Sequence, residues 1–263
     1  IIIDLVVNHT SVEHSWFQEA RKNPQSKYRN YYVWSDKPEP FEVAELVFAG
    51  EENTMWTYDE VAKQYYLHRF YKEQPDLNIM NAEVREEIIK IMGFWLSLGV
   101  SGFRVDAAAI IIESYGMRGA EKEELEKFFE EMRSFLAARK TDAILLAEAN
   151  INPSDIHTYM RGERRMHMMF NFFANQHFFF SLARENSSAL IKALKQLPAT
   201  SPSEQWLNFL RHHDELTLEK LSEEEKKEVF RRFGPKPEMQ IYNRGIRRRL
   251  APMLKGNQEL LRF

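Results

Sequence analysis

The chain has 263 residues, 44% of them hydrophobic and 13% aromatic, so it can bury one large core, and it shows no internal repeat that would indicate a solenoid. A balance of 36 basic and 39 acidic residues leaves a formal charge of −3, which excludes a strong field toward nucleic acid or an anionic membrane and favours a small neutral partner. The absence of cysteine removes disulfide frameworks and thiolate metal sites, and favours a reducing, cytoplasmic setting.

Residues 1–7 (Ile-Ile-Ile-Asp-Leu-Val-Val) read as a buried strand of a parallel sheet. Such a strand needs neighbours on both sides, and the chain opens on it without an initiator methionine or signal peptide, so a fragment of a longer protein is expected. The next parallel strand, at 100–106, is too distant for a single crossover helix. Residues 10–81, rich in Tyr, Trp, Pro and Asn, therefore read as an inserted subdomain. A helix follows Asn81 at 82–98, with Val84, Ile88, Ile91, Met92 and Trp95 at helical spacing. Another spans 122–140, where Leu125, Phe128, Phe129, Met132 and Leu136 form the apolar stripe. Further strands are expected at 143–148, 166–170 and 205–210, and helices at 153–160 and 172–197. The oily stretch 166–182 is interrupted by Asn171, Asn175, Gln176 and His177, so it is not a membrane span. Charge runs at 121–131 and 223–227 read as wet helix faces. Arg247, Arg248 and Arg249 read as surface groups or contacts to neighbouring loops. The chain closes at Phe263 inside a helix-like segment. Strand and helix alternate often enough to imply an α/β fold with a parallel sheet and right-handed crossovers.

Three carboxylates sit at the ends of strand-like runs: Asp106, Glu148 and Asp214. One acid after a strand is ordinarily a helix N-cap or a solvated loop group. Three together suggest convergence, because parallel strands in a barrel deliver their C-terminal ends to one face. Arg104 precedes Asp106 by two residues, so both side chains share a face of the strand, and a neighbouring cation keeps a carboxylate ionised, as a nucleophile requires. An apolar wall at Leu145, Leu146 and Ala147 would raise the Glu148 pKa and hold a proton for donation. The pairing resembles that of a retaining glycosidase, in which the carboxyl groups stand about 5–5.5 Å apart. His213 and Asp214 are then placed to grip sugar hydroxyls. The eight histidines show no HExxH spacing, so nothing points to catalytic zinc.

Five segments resemble, in order, the signature regions of the α-amylase family, glycoside hydrolase family 13. They are Ile3-Asp4-Leu5-Val6-Val7-Asn8-His9, Gln74-Pro75-Asp76-Leu77-Asn78, Gly102-Phe103-Arg104-Val105-Asp106-Ala107, Leu145-Leu146-Ala147-Glu148 and Arg211-His212-His213-Asp214-Glu215. The resemblance implies a TIM (β/α)8 barrel of which this chain carries strands three to seven, with residues 10–81 as the subdomain after strand three. It also implies Asp106 as nucleophile, Glu148 as general acid/base and Asp214 as transition-state stabiliser, with His9, Arg104 and His213 lining the subsite of the cleaved sugar. Segments such as 30–36, 65–71, 209–218 and 245–252 are similar to the trehalose synthase subgroup, which isomerises maltose to trehalose through a glucosyl-enzyme. Two departures stand out: His212 where the subgroup has Asn, and Ala108-Ala109-Ile110-Ile111-Ile112 in place of its proline and aromatic run. Hydrolysis of short α-glucans and a non-catalytic barrel module are the alternatives. Structural calcium is implied at Asn8, Asp76 and Glu113, with backbone carbonyls near Ile110 and Ile111, and no organic cofactor is expected. Because a barrel wall without strands one, two and eight leaves open sheet edges, this chain alone is expected to be poorly stable and inactive.

Overall fold

The structure is a computed structural model that describes residues 1–38, 47, 48, 50–113 and 122–259; of residue 113 only the backbone is described. It divides into two compact units, 1–149 with 158–168, and 150–157 with 169–263.

In the first unit β1 (Ile2–Leu5), β5 (Gly102–Val105) and β6 (Ile144–Ala147) lie side by side and parallel, with Asp4 opposite Arg104 and Arg104 opposite Leu146. Alternation buries Phe103 and Val105 completely and leaves Arg104 on the other face. Gly102 is required by close approach: a Cβ there would fall 2.4 Å from the Ile144 carbonyl oxygen. The expectation that residues 1–7 are fully buried is only half met. Leu5 and Val7 are sealed, whereas Ile2 and Val6 are 44% and 46% exposed, because β1 is an edge of the sheet.

Helix α2 (Ala82–Ser97) starts as expected at Asn81, whose side chain accepts from the Glu83 amide. Only Val84, Ile88 and Met92 of its apolar set are buried; Ile91 and Trp95 stand on the outer flank. After α3 (Ala108–Glu113), helix α4 (Lys122–Ala137) buries all five residues of its stripe. Within 10–81, helix α1 (Ser15–Lys22) packs on an antiparallel sheet in the order β2 (Trp34–Ser35), β4 (Gln64–Leu67), β3 (Trp56–Asp59). Phe17 stacks on Trp34 at 5.5 Å and meets Tyr66 edge-on at 5.1 Å. Backbone bonds tie its return path to the end of β1, with Leu77 donating to the Asn8 carbonyl at 2.7 Å and Thr10 to that of Pro75 at 3.2 Å.

In the second unit β7 (Met168–Phe170) neighbours β8 (Gln205–Leu207). The single helix expected at 172–197 is two, α5 (Phe172–Arg184) and α6 (Ser188–Gln196). Glu185 ends α5 in the left-handed region at φ 53°, and the polar run Glu185-Asn186-Ser187 makes the turn. The helix expected at 153–160 is a short 3-10 segment, Pro153–Thr158. A small antiparallel sheet follows in the order β10 (Gln240–Ile241), β11 (Gly245–Ile246), β9 (Leu216–Thr217), with α7 (Glu223–Phe233) between β9 and β10 in the chain and α8 (Leu250–Met253) after β11. Phe179 and Phe180 of α5 close the core of this unit with Leu218, Val229, Phe233 and Ile246. Ser222 and Glu225 form a reciprocal capping box on α7, worth about 1 kcal/mol. The three arginines at 247–249 are loop staples, as Arg248 donates to the Phe233 carbonyl at 2.9 Å and Arg249 to that of His212 at 2.8 Å. Among the described residues no helix is long and apolar enough to cross a membrane.

Candidate active site

Asp106 and Glu148 each follow the last residue of a strand, β5 and β6, whose parallel pairing brings the two ends together. Arg104 binds both. Its Nη1 lies 3.0 Å from Asp106 Oδ1 and its Nη2 2.5 Å from Glu148 Oε1. The two carboxyl groups lie near enough for the charge of Asp106 to act on Glu148, as the paired acids of a retaining site require. Burial pushes the Glu148 carboxyl up to about 7, with Arg104 pulling it down and the Asp106 charge adding to the rise. Glu148 therefore keeps its proton up to about pH 7, where it is about half protonated, while Arg104 offers positive charge to the pair.

Local backbone geometry fixes this arrangement. Asp106 donates its amide to the Leu5 carbonyl at 3.1 Å, and Ala108 donates to that of Glu148 at 3.0 Å. Between them Ala107 adopts φ 51°, a left-handed conformation that costs an alanine about 1 kcal/mol or more. The chain thus turns sharply right after Asp106.

His9 lies beyond β1, packed against Phe70 at 5.0 Å, with Gln74 Nε2 donating to its Nε2 at 2.9 Å. Burial holds its pKa below the ordinary value, with the Asp106 charge opposing, so the ring is neutral at pH 7. A further member escaped the sequence reading. Asp4, in the middle of β1 and opposite Arg104, accepts from Arg104 Nη1 at 2.9 Å. Its only signal is an acid inside an otherwise apolar run.

Asp214 belongs to the second unit. It does not end a strand, since β8 stops at Leu207, and it stands in the loop before β9. His213 Nε2 is 3.1 Å and His212 Nδ1 3.5 Å from its Oδ2; His213 and Asp214 are well exposed. Arg249 anchors the loop through the carbonyls of His212 and Asp214.

The oxygen groups expected to hold calcium are gathered in part. Asn8 and Asp76 are both buried, and Asn8 Nδ2 donates to Asp76 Oδ1 at 3.0 Å. Arg69, missed in the sequence, reaches the same place: its amide donates to Asp76 Oδ1 at 3.2 Å and its Nη1 to the Ile110 carbonyl at 2.9 Å. The side chain of Glu113 lies outside the described residues.

The family described as Alpha amylase, catalytic domain, matches residues 1–239. The chain is 43% identical over 259 residues to a protein of Thermus thermophilus named Trehalose synthase, covering 98% of this chain and 27% of that protein. To Trehalose synthase/amylase TreS of Mycolicibacterium smegmatis it is 40% identical over 262 residues, covering 98% of this chain and 44% of that protein. Among solved structures, an α-amylase from H. orenii superposes with a TM-score of 0.68 at 26% identity, over 81% of this chain and 42% of that one. The chain thus spans less than half the length of these relatives. With five parallel-sheet strands in barrel order, Arg104 clasping Asp106 and Glu148, and a family match over nearly its whole length, the chain belongs to the α-amylase family, glycoside hydrolase family 13, as part of its catalytic barrel.

Proposed function

We propose that the protein carrying this chain isomerises maltose, a small neutral α-glucoside, to trehalose through a covalent glucosyl-enzyme. Asp106 attacks the anomeric carbon as Glu148 gives its proton to the glycosidic oxygen, releasing glucose. That glucose returns through its own anomeric hydroxyl, Glu148 takes the proton back, and the Asp106 ester breaks. Two inversions at the transferred carbon leave it α. Asp214 stabilises the oxocarbenium-like transition state, while His9, Arg104 and His213 hold the donor sugar. The observation that supports this most directly is Arg104 bridging Asp106 and Glu148, with the proton held on Glu148 up to about 7. Water in place of returning glucose gives hydrolysis, and the name of the Mycolicibacterium relative, synthase/amylase, favours that as a side reaction. Intact acids at all three positions favour an enzyme over a binding module.

Incubation with maltose, trehalose being resolved from glucose by chromatography, tests the reading beside Asp106→Asn. Trehalose as main product, absent in the variant, supports it; glucose alone assigns hydrolysis, and neither product sinks both.

We further propose calcium as a structural ion held by Asn8, Asp76, the Ile110 and Ile111 carbonyls and Glu113. All are oxygen donors, which suits a hard cation. Arg69 already places a guanidinium on the Ile110 carbonyl, so the ion would share or displace that contact. Calcium added after chelation should raise the melting temperature by several degrees, and Asp76→Asn should remove the gain. An unchanged melt would leave Arg69 as the resident cation.

A further inference from the structure

We propose that His212, His213 and Asp214 form a binding site for a divalent transition-metal ion such as zinc. Each offers one ligand atom, and these atoms lie within 4.8 Å of one another. His213 Nε2 and His212 Nδ1 stand 3.1 and 3.5 Å from Asp214 Oδ2. Two ligands on one tetrahedral ion with bonds of about 2.0–2.1 Å are separated by about 3.3 Å, so both pairs already have the spacing the ion needs.

One side of the cluster is rigid and the other open. His212 is largely buried and set edge-on against Phe172 and Phe209, at 5.6 and 5.3 Å between ring centres. Arg249 holds the carbonyls on either side of His213, fixing the loop. Exposed His213 and Asp214 leave room for water as the remaining ligands. Two imidazoles and one carboxylate suit zinc, nickel or cobalt and are poor ligands for calcium. Arg249 and Arg211 place positive charge nearby, which weakens cation binding; Glu215 and Asp214 offset part of it. Three protein ligands meeting opposing charge make this a weaker zinc site than a closed four-ligand one. On the functional reading above, an ion here occupies the carboxylate of Asp214 and shuts the reaction down.

Cobalt titration of the whole chain, followed by visible absorption, with zinc calorimetry beside it, decides the matter without any need for activity. Saturable binding of one ion, weakened at least tenfold in both His212→Asn and His213→Gln and unchanged in His157→Asn, is the expected result. The exposed His157 controls for adventitious histidine binding, and melting curves confirm that the variants fold. No saturable binding, or equal binding in His212→Asn, overturns the proposal. If the protein acts on maltose, zinc should inhibit it reversibly by chelation and His212→Asn should escape; failure of maltose turnover alone leaves the metal result standing.

Discussion

Two arginines of the first unit each gather carboxylates, and they do opposite work. Arg165, only 3% exposed, is bound by Glu126 at 2.7 Å and Glu130 at 3.2 Å and donates to the Thr158 carbonyl at 2.6 Å. Two acids of α4 and a loop carbonyl thus spend one cation on holding a loop to a helix. Arg104 faces three acids, Asp4, Asp106 and Glu148, at the mouth of the strands. Burial, with the Asp106 charge adding to it and Arg104 pulling the other way, keeps a proton on Glu148 up to about 7. On the proposed function, excess negative charge is tolerable in a site that hands over a proton, and would be a defect in a joint.

The largest expected effect comes from removing that proton. Glu148→Gln should lower kcat by about 10²–10⁴-fold, roughly 3–5 kcal/mol on the barrier, with the fold intact. At the joint, Arg165→Ala should leave kcat per folded molecule alone and cost about 3–5 kcal/mol of stability, since Glu126 and Glu130 lose their buried partner. Urea unfolding midpoints measure the second; a loss under 1 kcal/mol would remove the contrast between the two clusters.

Glu148→Gln should also reverse sign between activity and stability. The folded chain keeps the Glu148 proton up to about 7, whereas an unfolded glutamate releases it near ~4.3. Between those values the folded state binds more protons, so its stability falls as pH rises through the window. The neutral amide escapes this loss. Above pH 7 the variant should therefore be more stable than the parent by about 1–3 kcal/mol, and near pH 4 the two should coincide. Melting curves at both pH values check the difference.

Much of the Arg104 cluster was legible because it rests on period-two alternation and strand ends, which sequence carries directly. Arg104 and Asp106 share a face as their spacing demands. Asp4 was hidden, because its role depends on the register between β1 and β5, a relation between strands 100 residues apart. Arg69 was hidden likewise, as its partner Ile110 lies across a fold contact. The break at Glu185 was written in polar residues, but apolar spacing on both sides masked it. Asp214 was placed at a strand end because its approach, 205–210, is mostly apolar, with Trp206, Leu207, Phe209 and Leu210; the strand stops earlier since Asn175 takes the carbonyls of Phe209 and Leu210.

The smallest predicted effect bears on Asp4. It shares Arg104 Nη1 with Asp106, so its charge draws the guanidinium away from Asp106 and Glu148. Asp4→Asn removes this influence, which makes the Glu148 carboxylate easier to form and lowers its pKa. Activity that needs a protonated Glu148 should then lose its basic limb earlier, by about half a unit, a modest shift because Asp4 is 54% exposed and screened. The lost charged hydrogen bond should cost about 1 kcal/mol of positioning, roughly fivefold in kcat, with KM nearly constant. Asp4→Glu should restore the limb but not all of the rate. A structural role alone would change the melting temperature and leave the pH profile where it was, so an unmoved basic limb in Asp4→Asn would reduce Asp4 to a strand-edge contact.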